Sequence, residues 1–276
     1  MDRGVAAVPV CCYPCPVPGE QDIDANDAID AIAMRGAAGE GDLRHLVDFL
    51  GASRKSVQRR VAHLLARLAP GRDDVVALLH EAVAAGPLRR RWGAAYALSQ
   101  LGPLTSACVP LLVEVMGDAN GDLRWAAATL VVGMGPVPGL LAALRALLAD
   151  GTPAQRKMAL YCLRDLGAAD ACLQALLEAA CADADAGVRL AAMSALVRLA
   201  GDREAAARAL AGRLADAEPG VRRAAAANLG RLGAAGVATL EALATAARDA
   251  DLPLRRAAVV ALGRLRAADA RSRPGG

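Results

Sequence analysis

The segment Val221–Gly233, VRRAAAANLGRLG, recurs along the chain, and its recurrence decides the fold. With its first residue as anchor, similar segments begin at Val57, Arg90, Leu123, Gln155, Val188, Val221 and Leu254, separated by 33, 33, 32, 33, 33 and 33 residues. Spacing this uniform over seven copies is the signature of a repeat array. Eleven residues before each anchor stands a leucine: Leu46, Leu79, Leu112, Leu144, Leu177, Leu210 and Leu243. Eight after it stand Leu65, Leu98, Val131, Leu163, Leu196, Leu229 and Leu262, and eleven after it Leu68, Leu101, Met134, Leu166, Leu199, Leu232 and Leu265. Apolar positions three and four apart on both sides of the anchor predict amphipathic helices. Each unit therefore reads as helix, short turn, helix, with the turn just before the anchor.

Gly102, Gly135, Gly167 and Gly233 follow the second helix, where a left-handed C-terminal cap is expected. A half-unit precedes the first copy. Stepping back 33 residues from Val57 reaches Asp24 and puts Ile32 and Gly36 in the leucine and terminal-glycine columns, so roughly 25–36 reads as a lone capping helix. One unit cannot bury its own apolar stripe, but stacked neighbours share a continuous core. The expectation is one all-α array over residues 22–266, flanked by disordered tails: a Pro- and Cys-containing one at 1–21 and one at 267–276 that ends SRPGG.

Five turns carry an aspartate five residues before the anchor: Asp118, Asp150, Asp183, Asp216 and Asp249. Six units carry an arginine one residue after it: Arg91, Arg124, Arg156, Arg189, Arg222 and Arg255. With these columns the chain resembles the HEAT-repeat family, in particular the short bacterial type found in phycobilin-lyase-like proteins. The resemblance implies a right-handed α-solenoid of about seven helix-turn-helix units plus the N-terminal capping helix. It also implies that the aspartates and arginines form a structural ladder between adjacent units, weaker where Ala52 and Ala85 replace the aspartate and Gln58 the arginine. On activity it is nearly silent, because one fold carries many functions.

Function must come from side chains that the core does not need. By resemblance to HEAT arrays the second helices line a concave groove, and 100° per residue places positions two, six and nine after the anchor opposite the core, with ten flanking them. Position two reads Arg59, Trp92, Trp125, Lys157, Leu190, Arg223 and Arg256; position six begins His63, Tyr96, Thr129, Tyr161. The chain has six aromatic residues, and Trp92, Tyr96, Trp125 and Tyr161 all fall in outward columns of three consecutive units. Random placement would put about 0.6 of the five array aromatics there. Trp92 and Tyr96 lie one turn apart, and Trp92 and Trp125 hold equivalent places on neighbouring helices, an expected separation of roughly 8–10 Å. Clustered exposed rings are a binding signature.

Basic groups flank them. Arg59, Arg67, Lys157, Arg164, Arg198, Arg223, Arg231, Arg256 and Arg264 face Asp165 alone in the outward columns, a balance of +8 on a chain whose total is +3. Such a face suits an acidic peptide, a nucleic-acid backbone or a carboxylated ligand.

Candidate chemistry is sparse. His80-Glu81 is a single His-Glu pair, whereas di-iron hydroxylases of the HEAT class carry several in facing units. Cys12-Tyr-Pro-Cys15, with Cys11 adjacent, has metal or redox spacing but sits in a Pro-rich tail with no following helix to lower a thiol pKa and no second ligand pair. Cys162 and Cys181 fall in core columns. Tyr161 and Asp165, four apart, resemble the residue types of HEAT-like alkylpurine DNA glycosylases without a matched motif. The seven cysteines are odd in number and irregularly spaced, no signal peptide is apparent, and no apolar run spans a membrane, so a cytoplasmic protein is expected.

The reading is a non-enzymatic scaffold or adaptor with no cofactor, no bound metal and no membrane contact. It binds an extended or acidic segment of a protein or peptide partner in its concave groove through Trp92, Tyr96, Trp125, Lys157, Tyr161, Arg164, Arg59 and His63. The alternatives are a lyase-like accessory subunit or chaperone for a cofactor-bearing protein, and a DNA-binding, glycosylase-like protein. Nucleic acid is the less favoured partner.

Overall fold

The computed structural model describes residues 20–52 and 54–272. Among these there are fifteen α-helices and no strand, and the chain divides into two compact units that meet between Gly102 and Pro103. The first unit holds α1 (Glu20–Arg35), α2 (Glu40–Phe49), α3 (Lys55–Leu68), α4 (Asp73–Ala84) and α5 (Leu88–Ser99). After a single 3-10 turn at Ser106–Cys108, the second holds α6 (Val109–Val115), α7 (Gly121–Met134), α8 (Leu140–Asp150), α9 (Pro153–Leu166) and α10 (Ala171–Ala180). It continues with α11 (Ala186–Leu199), α12 (Arg203–Ala211), α13 (Pro219–Leu232), α14 (Val237–Ala246) and α15 (Leu252–Ser272).

The helix pairs follow the repeat register. Every leucine eleven residues before an anchor is fully buried, from Leu46 through Leu243. Each contributes about 1.5–3 kcal/mol by leaving water. The column eight residues after the anchor is buried through Leu229 and becomes half-buried at Leu262, on the last helix. Leu101, eleven after its anchor, departs from its column and is 39% exposed just before the boundary between the units.

Two boundaries differ from expectation. The capping helix starts at Glu20 rather than near 25, and α15 carries residues 267–272, expected as tail, as helix. The stretch AADAR holds good helix formers and meets no proline before Pro274, so nothing stops the helix. Residues 1–19 and 273–276, including Cys11, Cys12, Tyr13 and Cys15, lie outside the described residues. In the first unit α1 is tied to α3 by Arg60, which donates to Asn26 Oδ1 and Asp30 Oδ1, both at 2.5 Å. Gly167 and Gly233 close their helices in the left-handed region at φ 69° and 70°, and Gly135 also has positive φ, but Gly102 does not.

The turn aspartates do two jobs. Asp118, Asp183, Asp216 and Asp249 each accept the N–H two residues on, which shapes the turn. The following arginine reaches back to the turn's own carbonyls, as Arg189 does to those of Asp183 and Ala184. From there its guanidinium extends to the next turn. Arg156 makes a two-pronged pair with Asp183 at 2.8 Å on both prongs, and Arg189 meets Asp216 at 2.8 Å.

The ladder departs from the expected pattern in three places. Arg222 pairs at 3.6 Å with Asp251, not Asp249. Asp150 ends α8 as an exposed residue, and the contact at that junction is neutral instead: Gln155 Nε2 donates to the Val113 carbonyl at 3.2 Å. There α8 runs on to Asp150 and only Gly151 and Thr152 separate it from α9, which leaves Asp150 in helix rather than in a turn. In the first unit Gln58, standing where the arginine would be, donates to the Leu50 and Arg89 carbonyls.

Within the second unit the second helices α7, α9, α11, α13 and α15 pack side by side more closely than the first helices do. α13 and α15 approach closely at Gly230, where a Cβ would stand 2.9 Å from Ala261 Cα. This layer carries the columns of interest.

Candidate functional site

The expected site residues divide between the two units. In the first unit Trp92 is only 7% exposed: a core residue, where an outward ring was expected. Its neighbour Gly93 supplies the physical reason. A Cβ on Gly93 would lie 2.6 Å from the Leu50 carbonyl oxygen, so α5 is drawn hard against the end of α2 and the ring beside that glycine is covered. Tyr96 is half-buried and meets the exposed His63 edge-to-face, with ring centroids 6.4 Å apart; Arg59, one turn before His63, is exposed.

The second unit assembles a tighter group. Trp125 projects from the middle of α7 and is 50% exposed. Its indole stacks on Tyr161 of α9, with centroids 4.9 Å apart and planes inclined by 28°. The Arg164 guanidinium lies over the same phenol ring, 5.0 Å from its centroid, a cation–π contact one helical turn along α9. Arg164 is itself fixed. Its Nε and Nη2 donate to the two carboxylate oxygens of Asp165 at 2.7 and 3.0 Å, and its Nη1 donates to Ser194 Oγ on α11 at 3.1 Å. The hydrogen bonds from Arg164 hold Asp165 below the usual carboxylate range, helped by the charges of Arg164 and Arg198 and opposed by partial desolvation.

Between the rings and Asp165 opens a cleft of about 210 Å³, lined by Trp125, Ala128, Thr129, Val132, Tyr161, Cys162 and Asp165. Burial pushes the Cys162 thiol up to about 12, so it serves as apolar floor rather than as a nucleophile. Gly133 stands at position ten of α7, where the other units carry Arg, Gln or, at Asp165, an aspartate, and a Cβ there would meet nothing within 4 Å. Lys157 stays out of the stack, its stem running past Gly187 at the start of α11.

Beyond the cleft the wall is basic. Arg198, Arg231 and Arg264 occupy position ten of α11, α13 and α15, and Arg223 and Arg256 occupy position two of α13 and α15; all five are exposed. None of the five meets a carboxylate within salt-bridge distance among the described residues, unlike Arg156, Arg189 and Arg222. The bridge through Ser194 was not foreseen, although Ser194 occupies position six on the helix after Tyr161. Among the described residues no group of three or more His, Cys, Asp or Glu side chains is placed to hold a metal, and no helix is long and apolar enough to cross a membrane.

Comparison with known proteins agrees with this architecture. The HEAT-repeat family model matches residues 109–197 and 137–230. The X-ray structure of the Escherichia coli protein YibA is similar at 16% identity, covering 92% of this chain and 99% of that one with a TM-score of 0.54. An engineered protein is similar at 20% identity, covering 89% of this chain and 73% of that one with a TM-score of 0.48. Human deoxyhypusine hydroxylase is similar at 18% identity, covering 90% and 97% with a TM-score of 0.39. At these identities the likeness concerns the fold alone. A search of curated protein sequences finds no match. The matched model describes HEAT repeats in general and does not single out the phycobilin-lyase-like type. With its stacked helix pairs and buried leucine columns the chain is an all-α repeat array of the α-solenoid class, and over residues 109–230 its repeats are HEAT repeats.

Proposed function

We propose that this protein is a non-enzymatic interaction scaffold that docks an extended, acidic partner segment across the second-helix face of its second unit. The cleft beneath Trp125 and Tyr161 takes the anchoring side chain. The observation that carries the reading is the preassembled stack. Asp165 and Ser194 fix Arg164, which lies over Tyr161, and Tyr161 stacks on Trp125, all before any ligand arrives, so little ordering entropy is lost on binding. Half the surface of Trp125 is given to solvent although core positions are near at hand.

Chemistry at the same place is disfavoured by charge. A carboxylate engaged on both oxygens by one guanidinium, with its proton affinity lowered, is a poor general base, which argues against a glycosylase-like role for Tyr161 and Asp165. The role first expected for Trp92 passes to Trp125 alone.

A random dodecapeptide library panned on the protein and on the W125A variant tests the reading. The expected outcome is enrichment of sequences that share an aromatic residue or a proline beside acidic residues, with binding lost in the variant. No enrichment, or enrichment indifferent to W125A, overturns it.

A further inference from the structure

The inner face of the second unit has two levels, and they differ in what they offer. Position ten brings Asp165, which lines the cleft, into line with Arg198, Arg231 and Arg264 on three successive second helices. Position two carries Arg223 and Arg256, eight residues earlier on α13 and α15. Eight residues of helix span about 12 Å, so the two levels are separate tracks. Adjacent packed helices stand about 8–10 Å apart, and an extended chain rises about 3.3 Å per residue. One step from helix to helix therefore equals about three residues of an extended ligand. The step from α13 to α15 is shorter, because Gly230 lets α15 close in and the Arg264 stem lies against it, its Cδ 3.5 Å from where a glycine Cβ would be.

We infer that the partner carries a spaced acidic motif: an anchoring ring seated in the Trp125–Tyr161 cleft, then carboxylates about every third residue, paired in turn with Arg198, Arg231 and Arg264. The inference rests on the docking reading above and adds the track, the direction of travel toward the C-terminal repeats and the chemistry of the occupant. Charge complementarity carries it. Three like charges in a row, none with a carboxylate within ion-pair distance among the described residues, repel one another, and a ligand that supplies three carboxylates at matching intervals relieves all three. A uniformly charged polyanion has no reason to prefer one level over the other.

The test uses the full chain and two fluorescein-labelled peptides of identical composition. One carries a tryptophan followed by aspartates at about the fourth, seventh and tenth positions beyond it; the other carries the same aspartates in one consecutive run. The expected result in fluorescence polarisation is about fivefold tighter binding of the spaced peptide. That preference is erased in the R231Q/R264Q variant and kept in R223Q/R256Q, which removes the same charge from the other level.

Equal affinity for both peptides, or equal loss from the two double variants, overturns the spaced track. If W125A still abolishes binding of both peptides in that event, the docking reading stands without it; if W125A changes neither, both fall. Tighter capture of a labelled oligothymidylate than of either peptide, lost steeply as salt is raised, also overturns the inference, because a phosphate backbone would then be the ligand.

Discussion

Trp92 and Trp125 are the only two tryptophans in the chain and occupy the same column of the repeat, yet their removal has different consequences. Trp92 is 7% exposed, so W92A removes a buried ring and leaves a hole that the surrounding helices fill only in part. Core substitutions of this kind cost about 3–5 kcal/mol. Trp125 is half in solvent and opens onto a cleft, so W125A leaves no closed cavity. The half-ring of apolar contact and the stacking on Tyr161 together contribute about 1–2 kcal/mol. Urea denaturation followed by circular dichroism measures both losses. At about 2–4 °C per kcal/mol for a chain of this size, thermal midpoints are expected to fall by some 6–20 °C for W92A and by a few degrees for W125A. Each variant is also a single-tryptophan protein. The residual indole of W92A is expected to emit to the red and to be readily quenched by acrylamide, while that of W125A emits to the blue and is shielded. Equal stability losses with equal quenching would mean that the two rings share one environment, and the assignment of Trp125 alone to the binding face would collapse.

The ladder makes a prediction about acid. Burial works to raise Asp183 and Asp216, but the bonds from Arg156 to Asp183, from Arg189 to Asp216 and from the turn N–H groups outweigh it and hold both carboxyls below the usual range. Since an unfolded aspartate titrates near 3.9, these rungs contribute fully above about pH 4 and lose their contribution as pH falls through the lowered folded values. D216N is expected to lower stability at neutral pH by about 3 kcal/mol, because Arg189 is left buried without its partner, and to flatten the acid limb of stability against pH. An acid limb of unchanged slope counts against the rungs. Glycine substitutions separate close packing from open space. G230A forces a methyl to within 3 Å of Ala261 and should cost about 1–3 kcal/mol, whereas G133A meets nothing and should stabilise α7 by about 0.5–1 kcal/mol in a urea melt. Opposite signs are the check; a gain at Gly230 would contradict the close approach of α13 and α15.

The repeat was legible because burial has a period. Leucines at fixed offsets from seven anchors cannot all face water, and they are the residues that the core contains. The cleft was legible only in part. Trp125 and Tyr161 stood in columns that pointed outward, but so did Trp92, and nothing in its own column marked it as different. Its burial follows from Gly93 beside it, a residue whose meaning depends on how near the Leu50 carbonyl lies, and nearness between elements is not written in periodicity. Asp150 was misread for a related reason. Its offset from the anchor was right, but α8 extends to include it and leaves only Gly151 and Thr152 before α9. The bridge from Arg164 through Ser194 needed the relative rotation of two helices, which a column of residue types does not contain.

The substitution of Gln155 for a charged rung has a mechanical side. Stacked helix pairs are held by apolar contact, which tolerates sliding, and by the arginine–aspartate clasps, which resist it. Between the α6–α7 pair and α9 the clasp is replaced by one neutral hydrogen bond from Gln155 to the Val113 carbonyl of α6, and the indole of α7 and the phenol of α9 meet across that same seam. The seam is therefore the compliant joint of the second unit.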